Sequence, residues 1–155
     1  MWQAIGEEMQ RCRTTVPGAF GRPPRNVHRI FNSFKPAKWS SFILLYSLPV
    51  FIGRLPTRYL ENLKHLIRIW SILCQREITK VEIEQLRMLC QRYIQDFKRL
   101  YFRARRDRLK IPISNLHSIL HMADALTHFG PGYGCWCFSG ERFNGMIEGK
   151  AKSKV

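Results

Sequence analysis

The stretch "LPTRYLENLKHLIRIWSILC", residues 55 to 74, predicts an amphipathic helix and decides the fold class. Thr57 follows Pro56 and has the hydroxyl side chain that commonly caps the start of a helix. After it, apolar residues recur at alternating spacings of three and four, the period of one helix face: Leu60, Leu63, Ile67, Trp70 and Cys74. We therefore expect one helix with a single apolar face.

A second and longer helix is predicted directly after the first. Thr79 and Glu82 have the spacing of a capping box, in which each side chain accepts a hydrogen bond from the backbone N–H of the other residue. The helical period then continues for about six turns. Its apolar positions are Ile83, Leu86, Cys90, Tyr93, Phe97 and Leu100.

A third helix is predicted after Pro112, with Ser114 as its N-cap and Gly130 at its end. Beyond it, "CWCF" (135–138) indicates a short extended segment and "ERFNGMIEG" (141–149) a short final helix. Strand patterns are weak throughout, so we expect a mainly α fold, a single domain of about four helices. The apolar face of the third helix consists of Leu116, Ile119, Ala123 and Leu126.

The N-terminal segment predicts an extended arm. Residues 11–38 contain seven basic residues, four prolines and no acidic residue, a composition that does not favour a regular helix. We expect a basic, Pro-rich and partly disordered arm over residues 1–38. A helical domain is expected over residues 39–148, and a disordered Lys-rich tail over residues 149–155.

The charge balance limits the classes of partner. The chain has 26 Lys and Arg residues against 11 Asp and Glu, a net charge of +15, which attracts nucleic acid, anionic lipid or acidic proteins. The apolar segment at residues 40–53 is well short of the roughly 18 residues that span a bilayer, so no membrane partner is expected. The acidic opening "MWQAIGEEMQ" and the odd number of cysteines favour a reduced protein that is not secreted.

The far end of the second helix is strongly basic. The stretch "KRLYFRARRDRLK", residues 98–110, holds seven cations and one acid. It is either a solvated helix end, where cations match the helix dipole, or a strip that contacts DNA phosphates. Tyr101 and Phe102 would then either stack on bases or complete the core. The candidate DNA-binding residues are Lys98, Arg99, Arg103, Arg105, Arg106, Arg108 and Lys110.

A polar face of the third helix carries a candidate metal-binding pattern. His117 and His121 are four residues apart and Asp124 follows one turn later, so the three side chains can approach one ion. Ser118 stands where zincins have a glutamate, and an isolated pair of this spacing is more often a surface or packing feature. We therefore expect no metal, and we expect the segment after Gly130 to cover this face.

The run "PISNLHSILHMADALTHFGPGYGCWCFSGERFNGMI", residues 112–147, resembles the module that follows the catalytic region in En/Spm (CACTA) type transposases, especially fungal ones. Their pattern is roughly H-x-x-L-H-x-x-D, then G-P, then W-x-F-x-x-E-R-[FY]-x-G. Residues 35–86 and "GRPPR" (21–25) are similar to the stretches that precede this module. The matching positions are His117, Leu120, His121, Asp124, Gly130, Pro131, Trp136, Phe138, Glu141, Arg142, Phe143 and Gly145.

The resemblance implies a nuclear protein of transposable-element origin and DNA transposition by a metal-dependent DDE core. The two aspartates and the strands of that core are not in this sequence, so catalysis by the isolated chain is not expected. No cofactor is expected for the isolated chain, and Mg²⁺ or Mn²⁺ only where a catalytic core completes the site. Glu141 is the one candidate catalytic residue, because "ERFNGMI" resembles the helix that bears the third carboxylate in integrases. A structural pairing of Glu141 with Arg142 or a histidine stays open.

Three functions remain open at this point. The first is a transposon-derived accessory module that binds DNA nonspecifically or packs on a transposase catalytic core. The second is a domesticated protein-interaction module whose charge serves solubility or an acidic partner. The third is a subunit of a metal-dependent nuclease that needs a partner chain.

Overall fold

The structure, a computed structural model, describes residues 1–17, 26–103 and 113–132. This part of the chain is helical and holds no strand, which confirms the mainly α class. Two π-helical turns, Phe42–Tyr46 and Lys98–Phe102, are wider than α-helical ones. The α-helices are more numerous and shorter than expected: α1 (Trp2–Arg11), α2 (Val27–Ile30), α3 (Pro36–Ser41), α4 (Ser47–Phe51), α5 (Thr57–Leu73), α6 (Lys80–Phe97), α7 (Ile113–Leu120) and α8 (Met122–Phe129).

Helices α5 and α6 form an antiparallel pair in the larger of two hydrophobic cores. Near the start of α5, Asn62 donates from Nδ2 to the backbone carbonyl of Tyr93, near the end of α6, at 3.1 Å. Burial raises the pKa of the Cys90 thiol to about 11, so this side chain is an uncharged core residue. The buried core residues come from α5, α6 and α8: Ile69, Ile72, Leu86, Cys90, Tyr93, Ile94, Ala123 and Leu126.

The start of α6 is fixed by the predicted capping box. Thr79 Oγ1 accepts a hydrogen bond from the Glu82 backbone N–H at 3.2 Å, and Glu82 Oε2 accepts one from the Thr79 backbone N–H at 2.8 Å. With the first turn fixed, the helical period places the expected residues in the core. Leu86, Cys90 and Tyr93 are buried, as is Leu100 in the π-helical turn that follows. The other two predicted positions, Ile83 and Phe97, are half-buried, so most of the predicted face is confirmed.

The apolar face predicted for α5 is wrong in orientation. Its buried residues are Asn62, Ile69 and Ile72, whereas the predicted face is only half-buried. The reason is that α5 packs on two sides. One side meets α6, and the other meets the segment 36–51, where Trp70 Nε1 donates to Ser40 Oγ at 2.9 Å.

The extended N-terminal arm is not confirmed. In α1, Ile5 and Met9 are buried in a second core that α2 and the segment 36–51 complete. The signal was present in the sequence, because Trp2, Ile5 and Met9 recur at helical spacing. The domain boundaries placed after residues 38 and 148 stay predictions.

Residues 36–51 run as one helical segment through α3, the first π-helical turn and α4. Pro49 has no N–H, and in a regular α-helix its ring would clash with the carbonyl of Leu45. That carbonyl lies in the wide turn Phe42–Tyr46, so the helix continues past the proline.

Among the described helices, none has the length and apolar character needed to cross a bilayer.

The predicted third helix is divided at His121, which lies in a turn between α7 and α8 with φ −92° and ψ 0°. Helix α7 begins one residue before Ser114, the predicted cap. Ala123 and Leu126 are buried against α6, as expected for the apolar face. Gly130 ends α8 with a φ of 75°, a conformation that favours glycine.

We predict that Gly6→Ala destabilises the protein. An alanine in an exposed helix is more stable than glycine by about 0.5–1 kcal/mol, but a Cβ at Gly6 would lie 2.1 Å from Asn26 Oδ1 and 2.9 Å from His28 Cβ. The clash outweighs the helix preference, and we expect a net loss of about 1–3 kcal/mol in urea unfolding. In a double-mutant cycle, the same substitution should cost less in an Asn26→Ala background. A Gly6→Ala variant that gains stability would contradict this packing.

Candidate functional site

A cluster of arginines lies where the start of α5 meets the end of α6. Arg58, Arg99 and Arg103, with Leu100, line an open cavity of about 400 Å³. The antiparallel pairing of α5 and α6 brings these ends together, although Arg58 is more than forty residues from Arg103 in sequence. We refer to Arg58, Arg99 and Arg103 as the arginine cluster.

Hydrogen bonds hold Arg103 in place. Its Nη2 donates to the Tyr59 hydroxyl at 2.7 Å and its Nε to the backbone carbonyl of Leu100 at 3.0 Å. Arg103 itself has a left-handed φ of 50° and ends the second π-helical turn. The guanidinium of Arg58 lies 5.2 Å from the centre of the Tyr59 ring, within the range of a cation–π contact.

The positive charge of the cluster is only partly neutralised. Arg99 Nη2 pairs with Asp96 Oδ1 at 2.9 Å. Within the described ranges, by contrast, no carboxylate pairs with Arg58 or Arg103. The start of α5 adds to the field, since its N-terminus has no side-chain cap and its free N–H groups carry partial positive charge.

The two aromatic residues of the basic stretch pack inward. The Tyr101 ring lies 4.6 Å from that of Phe97 and 5.3 Å from that of Tyr59, measured between centroids. Phe102 is half-buried and lines an apolar cavity of about 320 Å³ together with residues of α6 and α7. Of the two interpretations left open for these side chains, the structure favours packing over base stacking.

The structure describes three of the seven candidate DNA-binding residues. Lys98, Arg99 and Arg103 are exposed at the end of α6. Arg105, Arg106, Arg108 and Lys110 lie outside the described residues.

Sequence reasoning missed Arg58 and Tyr59. The available signal was the antiparallel arrangement expected of two consecutive helices with a short connection, which puts the start of one beside the end of the next.

The polar face of α7 and α8 is exposed, contrary to our expectation that it turns inward. His117 is exposed and the His121 side chain is 61% exposed. The two rings meet at their tips, with 3.1 Å between the Nε2 atoms. The segment expected to cover this face lies outside the described residues beyond residue 132. Asp124 instead pairs with α6, where Arg87 Nη1 donates to Asp124 Oδ1 at 2.5 Å.

The remaining motif residues divide between the described and undescribed parts of the chain. Gly130 and Pro131 follow α8 directly, and the Gly130 N–H donates to the carbonyl of Leu126 at 3.0 Å. The candidate catalytic residue and the residues around it lie outside the described ranges: Trp136, Glu141, Arg142, Phe143 and Gly145. Within those ranges, no three or more His, Cys, Asp and Glu side chains are grouped so that they could hold a metal ion.

No protein-family model matches this chain, and neither a curated protein nor a solved structure matches it. The resemblance to En/Spm type transposases therefore stays a prediction.

The Arg87–Asp124 ion pair predicts a specific pH dependence. The hydrogen bond from Arg87 is the main cause that lowers the pKa of Asp124 below its ordinary 3.8. A carboxyl with a depressed folded-state pKa stabilises the fold above its unfolded pKa, and this contribution is lost as pH falls through the folded value. We predict that wild type has a higher Tm than Arg87→Gln at pH 7, and that this difference shrinks as pH drops below 3.8.

The matched control is Glu84→Gln. Glu84 is the second carboxylate near Arg87, with 3.5 Å between its Oε2 and the Arg87 Nε. Since this variant keeps the Asp124 contact, its Tm should fall with acid as the wild-type Tm does. A Tm difference for Arg87→Gln that stays constant from pH 7 to pH 3 would contradict the role of the ion pair.

Proposed function

We propose that this chain binds DNA without sequence preference through the arginine cluster, as an accessory module of transposon origin. The observation that carries the proposal is the convergence of Arg58, Arg99 and Arg103 on one open cavity. Arginine is well suited to phosphate, because its planar guanidinium donates two parallel hydrogen bonds.

The cluster has the composition of a phosphate site. Two of its guanidiniums have no carboxylate partner among the described residues, so they need not exchange an internal ion pair for a phosphate. The hydrogen bond from Arg103 to Tyr59 orients one of them in advance, which lowers the entropy lost on binding. The uncapped start of α5 adds backbone N–H donors that also favour anions.

The wider charge distribution supports the same function. The net charge of +15 attracts a polyanion from a distance, and the basic stretch continues from the cluster through residue 110 in sequence. Contacts to phosphates alone position a protein on DNA without reading its sequence. The transposase resemblance agrees with such a role, in which a separate catalytic core would cut the DNA.

We predict that binding to a duplex fragment weakens steeply with salt, because each phosphate contact releases counterions. The slope of log K against log [salt] changes by about 0.9 for each contact. The double variant Arg58→Gln, Arg103→Gln should therefore flatten the slope by about 1.8. Fluorescence anisotropy from low to physiological salt measures this slope.

A charge-matched double variant, Arg29→Gln with Lys80→Gln, serves as the control. Both residues are exposed, and Lys80 lies at the opposite end of α6 from the arginine cluster. We expect this control to change the slope much less. Equal effects of the two double variants would assign binding to diffuse charge, and a slope near zero for the wild type would refute DNA binding altogether.

A further inference from the structure

The two exposed histidines between α7 and α8 have the geometry of a chelating pair. His117 lies in the last turn of α7 and His121 in the turn that follows, so their side chains project from the same side four residues apart. The Nε2 atoms are 3.1 Å apart, the ring centroids 4.7 Å, and the ring planes cross at 73°. The rings thus approach each other at their Nε2 tips.

These distances fit a shared metal ion. Imidazole nitrogen binds Zn²⁺ at about 2.0–2.1 Å, with the metal in the ring plane and along the nitrogen lone pair. Two rings that share an ion at this distance, with nitrogens 3.1 Å apart, would have centroids about 4.8 Å apart. The observed 4.7 Å agrees. In a straight, end-to-end hydrogen bond, the centroid distance would be the 3.1 Å between the nitrogens plus the two ring radii, which is longer than the observed distance.

The surroundings favour the metal-binding tautomer of His121. Its Nδ1 lies 3.6 Å from Asp124 Oδ2, and the other oxygen of that carboxylate is held by Arg87. A carboxylate near Nδ1 favours a proton on that nitrogen, which leaves the Nε2 lone pair free. Carboxylates commonly occupy this position next to metal-bound histidines.

We propose that His117 and His121 bind one divalent metal ion of the zinc class through their Nε2 atoms. The site shares no residue with the arginine cluster, and its function does not depend on DNA binding. Imidazole ligands select Zn²⁺, Cu²⁺ or Ni²⁺ over Mg²⁺ and Ca²⁺, which prefer oxygen. The described residues supply two ligands, so water fills the other coordination positions and the ion stays accessible from solvent.

The test is calorimetric titration of the full chain with ZnCl₂ at pH 7.5. Every protein tested carries Cys135→Ser and Cys137→Ser, because these two closely spaced thiols would compete with the histidines for zinc. We expect one site per chain, weakened at least tenfold by His117→Ala and by His121→Ala. His128→Ala is the matched control, since His128 is also exposed, on α8, and should leave the affinity within twofold.

Imidazole NMR gives a second readout that does not depend on affinity. Zinc should shift the Nε2 resonances of His117 and His121 and leave those of His128 unchanged. The proposal is overturned if the protein with only the two cysteine substitutions binds no zinc, if affinity survives His121→Ala, or if His128→Ala weakens binding as much as the other two variants. Circular dichroism verifies that each variant is folded, as expected for substitutions of exposed side chains.

Discussion

The antiparallel contact between α5 and α6 is the interaction on which the rest of the described structure depends. Ile69 and Ile72 of α5 are buried against Leu86 and Cys90 of α6, and each fully buried aliphatic side chain contributes about 1.5–3 kcal/mol. At the other end of the pair, the hydrogen bond from Asn62 to the Tyr93 carbonyl fixes the alignment of the two helices. Helix α8 packs on the outside of α6, and the segment 36–51 packs on α5. Loss of the pair would leave α8 without its main packing surface and the segment 36–51 with only the N-terminal core to pack on.

Local signals predicted one helix of this pair and misjudged the other. For α6, the capping box and the apolar period agree, because Thr79 and Glu82 act within the first turn and need no distant partner. For α5, apolar residues occupy two sides, so a single stripe cannot show which side meets the main core. The buried Asn62 is polar, and only the position of the Tyr93 carbonyl explains it. Tertiary context, which a local pattern does not contain, decided both points.

In the candidate sites too, local sequence predicted some features, and others depend on tertiary context. Arg99 and Arg103 were predictable as neighbours because they lie in one basic stretch of the sequence, whereas Arg58 joins them only through the fold. For the histidines, the four-residue spacing predicts that the two rings can meet. The partner of the neighbouring Asp124 was not predictable, since Arg87 reaches it from α6 only through the fold. Spacing along a helix fixes which side chains are neighbours, but the direction in which they face depends on what packs behind them.

The wide turn at Phe42–Tyr46 changes the direction in which the residues on either side of it face around the helix axis. In a regular α-helix, the eight-residue step from Phe42 to Val50 corresponds to a rotation about 80° beyond two full turns. A π-helical turn accommodates one extra residue and removes about 100° of rotation, so the two positions return to within about 20° of each other. Phe42 and Val50 are both buried in the N-terminal core, at 5% and 8% exposure. One added residue in the backbone thus keeps Phe42 and Val50 on the same side of the helix, facing the core that they share with α1. In a regular α-helix, the second residue would be rotated away from that core.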